Sequence, residues 1–349
     1  MSPTVTLVVN PTSGHGRAAK ILPRVTLDLV KGLSEYNVVV RETRSEAEAR
    51  YFAAEAVANS VHTKPGELHD ILLVMGGDGM ANVGLNAAAQ TEVRLGVIPA
   101  GTANDFCRGM GVPHTTKAAV LSIIAGRERL VDLTEVTGDA LAGGLERRFV
   151  GCIVSTGFDA KVNLRTNNRS LSLGSLSYGW DAFIELTRFK PLNYRIKVDG
   201  QPLELAATFI AVGNAGVFGG GMQGCPHADP TDGLLDITLV RPVSRMTLLR
   251  LLPSTYTGEY ISNPAVELLR AREVVIDGDD MYAMGDGESL GDVPVTARIA
   301  PQSLYLLGAT KPKPLELTSG KQVRPFESVV EETPGGATVS GESVVGETV

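Results

Sequence analysis

The sequence predicts two folded domains, an α/β domain on a doubly wound parallel sheet and an all-β sandwich domain with inserted helices. Short β-branched segments alternate with longer amphipathic segments from residue 4 to about 125, whereas strand-like segments follow one another closely from about residue 130. The length of 349 residues also exceeds that of one typical domain. We therefore predict an α/β domain at 1–130, a β-sandwich domain at 131–310 and a disordered tail at 311–349.

The first domain is predicted to contain four β-α units. The strand-like segments TVTLVV, NVVV, DILLVM and RLGVIPA are each followed by an amphipathic stretch, at 16–33, 45–60, 80–90 and 115–125. Strands that alternate with helices in this way form a parallel sheet, because each helix returns the chain across one face of the sheet. Ligands of such sheets bind at the carboxyl ends of the strands, where this sequence places its glycines.

The second domain is predicted to be mainly antiparallel. Its strand-like segments are LVDLTEV, RRFVGCIVS, NYRIKVDG, LELAATFIAV, LLDITLV, EVVIDG, VPVTARIA and SLYLLG. Two helical segments interrupt them, at 176–190 and 244–261. We favour helices that pack on the core, over helices that dock on an anionic membrane surface. The residues that raise the membrane alternative are Trp180, Arg188, Phe189 and Lys190 in the first helix, and Arg245, Leu248, Leu249, Arg250, Leu251 and Leu252 in the second.

Composition narrows the class of protein. The content of 43% hydrophobic and 20% charged residues is typical of a globular protein. The formal charge of −7 argues against a general nucleic-acid binder. The three cysteines, Cys107, Cys152 and Cys225, have neither disulfide-frame nor zinc spacing. No signal peptide or transmembrane segment is visible, so we expect a cytoplasmic protein with at most peripheral membrane contact. A homodimer is kept as an open prediction for the assembly.

Glycine-rich loops follow three of the predicted parallel strands. They are Asn10–Gly16, Gly76–Gly79 and Pro99–Asp105. Any one of them alone is also explained as a tight turn, and the match of Gly14, Gly16 and Ala19 to a dinucleotide fingerprint is weak. Three such loops on one sheet edge indicate a nucleotide site, and the absence of G-x-x-x-x-G-K-[ST] shows that it is not a P-loop.

These loops resemble the catalytic domain of the diacylglycerol kinase and sphingosine kinase superfamily, and are most similar to the soluble bacterial lipid kinases. The resemblance extends over roughly 1–310. It implies an NAD kinase/diacylglycerol kinase-like α/β nucleotide-binding domain and a β-sandwich domain, with the active site in the cleft between them. The matching segments are VVNPTSGHG (8–16), GGDG (76–79), PAGTANDFCR (99–108), GFDA (157–160), Gly213-Asn214, GGGM (219–222), DGLLD (232–236) and DGE (286–288).

The resemblance implies that the loops bind ATP. The residue that ends the second predicted strand and the residues that open the helix after GGDG are included in this assignment. The nucleotide-binding residues implied in this way are Asn10, Pro11, Thr12, Ser13, Gly14, Thr43, Gly76, Gly77, Asp78, Gly79, Met80, Ala81, Asn82, Gly101, Thr102 and Asn104.

Acidic residues are implied to hold Mg²⁺ and to act as the base. The resemblance places Asp78, Asp132 and Asp286 around Mg²⁺, and it assigns the general base to the segment of Asp286 and Glu288 without choosing between the two. A second, structural Mg²⁺ site is implied at Asp229, Asp232 and the carbonyl of Leu234. Taken alone, that segment is also explained as a polar turn, and Asp286–Glu288 as a surface turn.

The function implied is an ATP- and Mg²⁺-dependent kinase that phosphorylates the hydroxyl of a lipid presented at a membrane surface. The acceptor expected is diacylglycerol, which gives phosphatidic acid. Two alternatives stay open. One is a kinase of the same superfamily acting on a sphingoid base, another glycerolipid or NAD, and the other is a nucleotide-binding regulator without turnover.

Overall fold

The computed structural model describes residues 3–60, 68–157, 191–311, 315, 317 and 320–323. The end of the GFDA segment (158–160), the predicted helix at 176–190 with Trp180, and nearly all of the predicted disordered tail lie outside the described residues. Cys107, Cys152 and Cys225 are buried free thiols. No helix among the residues described is long and apolar enough to cross a membrane.

The first part of the chain forms the predicted β-α units. Five helices and four strands follow one another, and the boundaries agree with the sequence prediction except for one helix, α4, which was not predicted. The elements are β1 (Thr4–Val9), α1 (Ser13–Gly32), β2 (Asn37–Glu42), α2 (Glu46–Ala58), β3 (Ile71–Gly76), α3 (Asp78–Ala88), β4 (Arg94–Pro99), α4 (Asp105–Met110) and α5 (Thr116–Ile124).

The second part is mostly β-structure. Its elements are β5 (Glu128–Thr137), β6 (Arg147–Val150), β7 (Ile153–Gly157), β8 (Leu192–Val198), β9 (Gln201–Ala207), β10 (Phe209–Gly213), β11 (Val217–Phe218), β12 (Met222–Gln223), β13 (Leu235–Val240), α6 (Arg245–Ser254), a 3₁₀ turn (Glu259–Ser262), β14 (Val266–Ala271), β15 (Glu273–Gly278), β16 (Tyr282–Gly285), β17 (Glu288–Asp292) and β18 (Val295–Leu307).

One ten-stranded sheet runs through both parts of the molecule. Its order is β2-β1-β3-β4-β18-β15-β8-β9, with β5 paired to β18 and β6 paired to β5. The first four strands are parallel, and β1 lies between β2 and β3, so the strand order reverses beside β1: β2 is added on one side of β1, and β3 and β4 on the other. Such a switch point opens a crevice at the carboxyl ends of the strands, and it fixes where a ligand is expected.

The last strand joins the two parts, which the sequence did not indicate. Residues 305–307 of β18 pair in parallel with β4, whereas residues 295–298 pair antiparallel with β15. The predicted segments VPVTARIA and SLYLLG are thus one long strand with an irregularity between Ala300 and Leu304. The division of domains at residue 130 stays a prediction.

The second sheet has six strands in the order β14-β13-β10-β7-β16-β17. Buried side chains from this sheet and from the β18-β15-β8-β9 end of the large sheet form one core, which includes Val154, Tyr194, Ile237 and Ile276. Two predicted strands divide between the sheets. RRFVGCIVS becomes β6 and β7, and LELAATFIAV becomes β9 and β10, because each segment bends at the edge of the sandwich.

Candidate active site

Three glycine loops lie side by side at the carboxyl edge of the parallel strands. They follow β1, β3 and β4, where β3 lies between the other two strands. A Cβ atom on Gly14 would overlap the carbonyl oxygen of Ala100, and one on Gly101 would overlap the Cα atom of Gly77. The loops are therefore in backbone contact, which confirms the predicted adjacency of the three loops.

The loop after β1 begins with a turn closed by a side chain. Asn10 Oδ1 accepts hydrogen bonds from the backbone N and the Oγ1 of Thr12, at 3.0 and 2.7 Å. Pro11 lies within this turn, and its carbonyl accepts a hydrogen bond from Ala19 N. Ser13 follows, and its hydroxyl lies 3.0 Å from the position that a Cβ of Gly76 would take. The turn therefore packs directly against the second glycine loop.

The same loop continues with residues 14–16, whose φ values of 60°, 57° and 80° are left-handed. Regular helix follows, so the backbone of the loop meets the positive end of the α1 dipole, a combination that binds phosphate oxygens. Thr43, predicted to contact the nucleotide, is buried, and its hydroxyl donates to the carbonyl of Val9 at 3.1 Å. Its side chain fastens the end of β2 to β1 instead of facing the loop.

The loop after β3 leads into α3 through Gly77, which occupies the N-cap position without a side-chain cap. Asp78 is the first helical residue and is half-buried, and Gly79 is exposed. The side chains of Met80, Ala81 and Asn82 are only 6%, 1% and 2% exposed. We had expected all three to contact the nucleotide. The structure buries their side chains beneath the loop, because these positions of the helix face the sheet and the neighbouring strands.

The loop after β4 closes on itself through Asn104. Asn104 Nδ2 donates to the carbonyl of Gly101 at 3.0 Å, and Gly101 N donates to Asn104 Oδ1 at 3.2 Å. Asn104 itself has a left-handed φ of 53°. Thr102 is exposed at the tip of this loop, toward which no neighbouring strand projects. The loop is held rigidly, and Thr102 is its accessible hydroxyl.

Asp105 and Asp78 form a pair of carboxylates beneath these loops. Asp78 Oδ1 accepts from Phe106 N at 2.9 Å, and Asp105 Oδ2 accepts from Gly220 N at 2.6 Å. Asp105 Oδ1 is buried and has no hydrogen-bond partner among the described residues. Burial, followed by the charge of Asp78, raises the pKa of Asp105 to about 6, and burial also raises the pKa of Asp78. Arg108 lowers the pKa of Asp105 in part, but burial and the charge of Asp78 outweigh it.

Sequence reasoning missed Asp105 as a site residue. The segment Asn104-Asp105 was part of the third matched block, but only Asn104 was assigned a contact. The available signal was position: Asp105 starts α4, and it follows a strand at the same sheet edge as Asp78. Gly220, its partner, lies in the GGGM segment, so the structure connects this second-domain segment to the site.

Asp286 lies in the tight turn between β16 and β17. Its Oδ2 accepts from Gly151 N at 2.7 Å, and its Oδ1 accepts from Cys152 N and Ile153 N at 2.8 and 3.1 Å. Those amides are available as donors because strand β6 ends and strand β7 begins at this point of the chain. Burial raises the pKa of Asp286 to about 6, opposed by the three amides and supported by the charge of Asp78. Asp286 is therefore fixed in orientation and electrostatically coupled to the α3 terminus.

Glu288, two residues further on, faces the start of α3. Its Oε1 lies 3.5 Å from the position that a Cβ of Gly79 would take. Burial and the charge of Glu46 raise the pKa of Glu288, whereas Arg148 and Arg50 lower it. The structure thus brings both members of the DGE segment to the glycine loops, Asp286 near Asp78 and Glu288 near Gly79.

Asp132 uses both of its carboxylate oxygens in hydrogen bonds to the backbone. Its Oδ2 accepts from Gly233 N at 2.8 Å and its Oδ1 from Gln302 N at 2.7 Å, and its predicted place beside Asp78 and Asp286 around Mg²⁺ stays a prediction. Its side chain therefore connects β5 with the 229–234 turn and with the irregular part of β18. The physical reason is that the Asp132 carboxylate is only 2% exposed and needs hydrogen-bond donors, which these two partly buried backbone amides supply.

The predicted structural metal site lies in the 229–234 turn. Asp229 carboxylate oxygens lie 3.3 Å from Arg129 and 3.4 Å from Lys311, and Asp232 lies 3.6 Å from Arg270. Asp232 Oδ1 also accepts from Leu234 N. Oxygen ligands suit Mg²⁺, but cationic side chains already neutralise this pair. The donor set therefore does not fit an additional divalent cation in this arrangement, and the turn is stabilised by ion pairs.

The arrangement is suited to phosphoryl transfer. Backbone amides and helix N-termini at the loops provide donors for phosphate oxygens, and the carboxylates beside them provide ligands for a divalent cation and a base. Among the described residues, no group of three or more acidic, histidine or cysteine side chains forms a metal site. A phosphotransferase site between an α/β domain and a β-sandwich is the class that this fold and geometry define.

Comparison with known proteins identifies the family. Residues 4–136 match the diacylglycerol kinase catalytic domain, and residues 152–308 match the YegS C-terminal NAD kinase beta sandwich-like domain. A diacylglycerol kinase of Mycobacterium tuberculosis is 34% identical over 306 residues, covering 87% of this chain and 94% of that protein. A diacylglycerol kinase of Bacillus subtilis is 27% identical over 296 residues, covering 82% and 90%.

The fold has solved counterparts. A diacylglycerol kinase structure from Bacillus anthracis str. Sterne superposes with a TM-score of 0.63 at 21% identity, covering 87% of this chain and 96% of that one. The predicted fold class, an α/β domain followed by a β-sandwich, is thereby confirmed. The chain belongs to the diacylglycerol kinase family, as its sequence segments indicated, and this membership supports a kinase.

Proposed function

We propose that the chain is an ATP-dependent lipid kinase that transfers the γ-phosphoryl group of ATP to the hydroxyl of diacylglycerol, giving phosphatidic acid and ADP. The observation that carries the proposal is the meeting of three glycine loops with Asp78, Asp105 and Asp286 at one sheet edge. The names of the relatives support the acceptor, since those from Mycobacterium tuberculosis and Bacillus subtilis are both diacylglycerol kinases.

The fit of Mg²⁺ is favourable at Asp78 and Asp105. Asp105 Oδ1 is buried without a partner in the described part of the chain, and the neighbouring charge of Asp78 raises its pKa. A divalent cation would satisfy both carboxylates. Two carboxylates suffice, because Mg²⁺ usually takes its remaining ligands from water and substrate phosphates. When bound there, Mg²⁺ would neutralise charge on the phosphates as the γ-phosphoryl group is transferred.

Asp286 is the better candidate for the base. It is held by three backbone amides, and its pKa of about 6 is close to the pH at which a general base works best. In the proposed step, the acceptor hydroxyl gives its proton to the Asp286 carboxylate, and the hydroxyl oxygen forms a bond to the γ-phosphorus. The bond between that phosphorus and the bridging oxygen breaks, and ADP leaves with the electron pair.

The proposed localisation follows from the proposed substrate. A kinase that acts on diacylglycerol must reach a lipid surface from the aqueous side, so we propose a cytoplasmic protein with peripheral membrane association. The homodimer remains a prediction, which sedimentation velocity of the purified chain would check.

The deciding experiment incubates the purified chain with labelled ATP, Mg²⁺ and mixed micelles that contain one acceptor at a time. The acceptors are diacylglycerol, a sphingoid base, ceramide and phosphatidylglycerol, with NAD as a soluble acceptor. Labelled phosphatidic acid that disappears in Asp286→Asn supports the proposal. If only another acceptor becomes labelled, that acceptor replaces diacylglycerol in the proposal. Nucleotide binding without transfer to any acceptor would favour a regulator over a kinase.

A further inference from the structure

One face of α6 exposes apolar side chains to solvent. Met246, Leu249 and Tyr256 are 59%, 39% and 53% exposed, although a helix on a domain surface usually turns such residues inward. Leu248 is the one buried residue of the helix. The core-packing helix expected from the sequence therefore describes only one side of α6, because Leu248 is buried whereas Met246 and Leu249 face outward.

The exposed residues occupy a single side of the helix. At 3.6 residues per turn, the exposed residues of the helix, Arg245, Met246, Leu249, Arg250 and Pro253, fall within an arc of about 140°. The opposite arc carries Leu248, which is buried, and Leu251, which packs on the small core cluster beside β14. We call this outward side, together with the exposed Tyr256 two residues beyond the end of the helix, the α6 face.

The charge of the α6 face is positive. Residues 242–258 contain no Asp or Glu, in a chain whose formal charge is −7. Neither Arg245 nor Arg250 has a carboxylate within 4.0 Å among the described residues, whereas nearby Arg241 is paired with Glu267 at 2.6 Å. The two arginines of the face are therefore available to an anionic partner.

The α6 face is connected to the candidate active site by hydrogen bonds. Thr255, at the end of the helix, accepts from Gln223 N at 2.8 Å through its carbonyl. Gln223 belongs to the β11–β12 hairpin, and the turn of that hairpin donates Gly220 N to Asp105. Tyr260, just after the helix, donates its hydroxyl to Gly224 O at 2.6 Å. The hairpin thus spans the distance between the helix and the carboxylate pair.

We propose that the α6 face docks the chain on an anionic lipid bilayer, an inference that rests on the proposed lipid kinase function. Apolar side chains of the face enter the boundary of the acyl chains while the arginines contact anionic headgroups, the composition typical of an interfacial helix. The β11–β12 hairpin, which is hydrogen-bonded to the end of this helix and to Asp105, would connect the docked helix to the candidate active site.

Vesicle co-sedimentation without nucleotide tests the docking independently of turnover. The probes are vesicles of phosphatidylcholine alone and of phosphatidylcholine mixed with phosphatidylglycerol. Arg245→Gln/Arg250→Gln is expected to lower binding to the mixed vesicles by about 30-fold, from the usual contribution of each arginine near an anionic surface. Met246→Ser/Leu249→Ser is expected to lower binding to the same vesicles, because it removes the inserted apolar atoms.

Matched controls carry equal changes elsewhere. Lys117→Gln/Lys197→Gln removes two exposed charges from α5 and β8, and Leu121→Ser changes a side chain that is 56% exposed on α5. Both controls should bind vesicles as the unaltered chain does. All α6 variants should keep the thermal midpoint and the turnover on a short-chain, micelle-free diacylglycerol.

Three results would overturn the docking proposal: no binding of the unaltered chain to either vesicle, equal losses in controls and α6 variants, or self-association that the α6 variants abolish while vesicle binding stays. The last result would assign the face to a second copy of the chain. If vesicles bind as expected but no acceptor is phosphorylated, the docking holds and the proposed kinase function fails.

Discussion

The orientation of the Asp286 side chain depends on an interruption between two strands that are distant in the sequence. Its carboxylate is held because β6 ends at Val150 and β7 begins at Ile153, which leaves backbone amides pointing at the turn. Asp286→Asn and Asp286→Ala are expected to lower kcat by about 10²- to 10⁴-fold, the usual contribution of a general base. Initial-rate measurements with saturating ATP check this, with circular dichroism to show that the variants fold.

The control for this prediction lies in the same hairpin. Asp292 is an exposed carboxylate near the end of β17, so Asp292→Asn should leave kcat unchanged. Near-normal turnover in either Asp286 variant would remove Asp286 from the proposed mechanism.

The pH dependence of the reaction separates Asp286 from Glu288. A base acts in its deprotonated form, and burial raises the pKa of Asp286 to about 6. At saturating Mg²⁺, which would keep Asp105 ionised in the proposed site, we therefore expect kcat/KM to rise with a slope of about one in logarithmic units below pH 6 and to level off above it. Glu288→Gln should keep this acidic limb, since Glu288 is not the proposed base. Loss of the limb in Glu288→Gln would transfer the role to Glu288.

At the scale of elements, the contact between Gly77 and Gly101 holds the β3 and β4 loops together. A Cβ atom on residue 101 would overlap the backbone of Gly77, which cannot move aside as a flexible side chain can. Gly101→Ala should therefore separate the loops, raise the KM for ATP and destabilise the fold by roughly 1–3 kcal/mol, as overpacking does. ATP titration of initial rates and urea unfolding measure the two effects.

Gly79→Ala is the matched control for steric overlap. A Cβ atom there would meet only Glu288 Oε1, at an ordinary contact distance of 3.5 Å. Alanine also favours a helix over glycine, so Gly79→Ala should unfold at equal or higher urea concentration. A loss of stability as large as that of Gly101→Ala would show that overlap with Gly77 is not the cause.

The elements differ in how well their sequences predict them. The β-α units were predicted because each has a helical segment of several turns and a strand rich in aliphatic residues, of which β1, β3 and β4 are largely buried. Helix α4 has six residues, too few to show a period. RRFVGCIVS gives no signal of its division into β6 and β7, because the bend depends on which sheet each half joins. The positions of the glycine loops in the sequence could be predicted. The burial of the Met80 and Asn82 side chains could not, because it depends on tertiary packing.

At the scale of the whole molecule, β18 makes the two domains one structure. It pairs with β4 of the first domain and with β15 of the second, and β5 runs along most of its length. The site therefore lies between parts that share a sheet, and its carboxylates are carried by segments of both. Asp105 is bonded to Gly220, and the Asp286 turn is coupled to Asp78. Substitutions that weaken the strand pairing of β18 are therefore expected to alter the site even where the substituted residue does not contact it.

Asp132 tests this connection. Its carboxylate accepts from Gly233 N and from Gln302 N, where β18 is irregular, and its carbonyl accepts from Asn214 Nδ2 at 2.7 Å. Asp132→Ala leaves two partly buried amide donors without their acceptor, at a cost of roughly 1–3 kcal/mol. Asp132→Asn keeps one acceptor oxygen, so it should lose less stability than Asp132→Ala. Urea unfolding of the three proteins gives the order of stability: unaltered, then Asp132→Asn, then Asp132→Ala.

Mg²⁺ titration then separates a structural role from a metal-binding one. If Asp132 acts through the backbone of β18, folded Asp132→Asn should keep the Mg²⁺ concentration for half-maximal activity, whereas Asp105→Asn should raise it, because Asp105 carries the unpartnered buried oxygen. A raised Mg²⁺ requirement in Asp132→Asn, with unchanged unfolding, would instead place Asp132 with Asp78 around the metal. The two results differ in both measurements, so stability and metal dependence together assign the residue to the sheet or to the reaction.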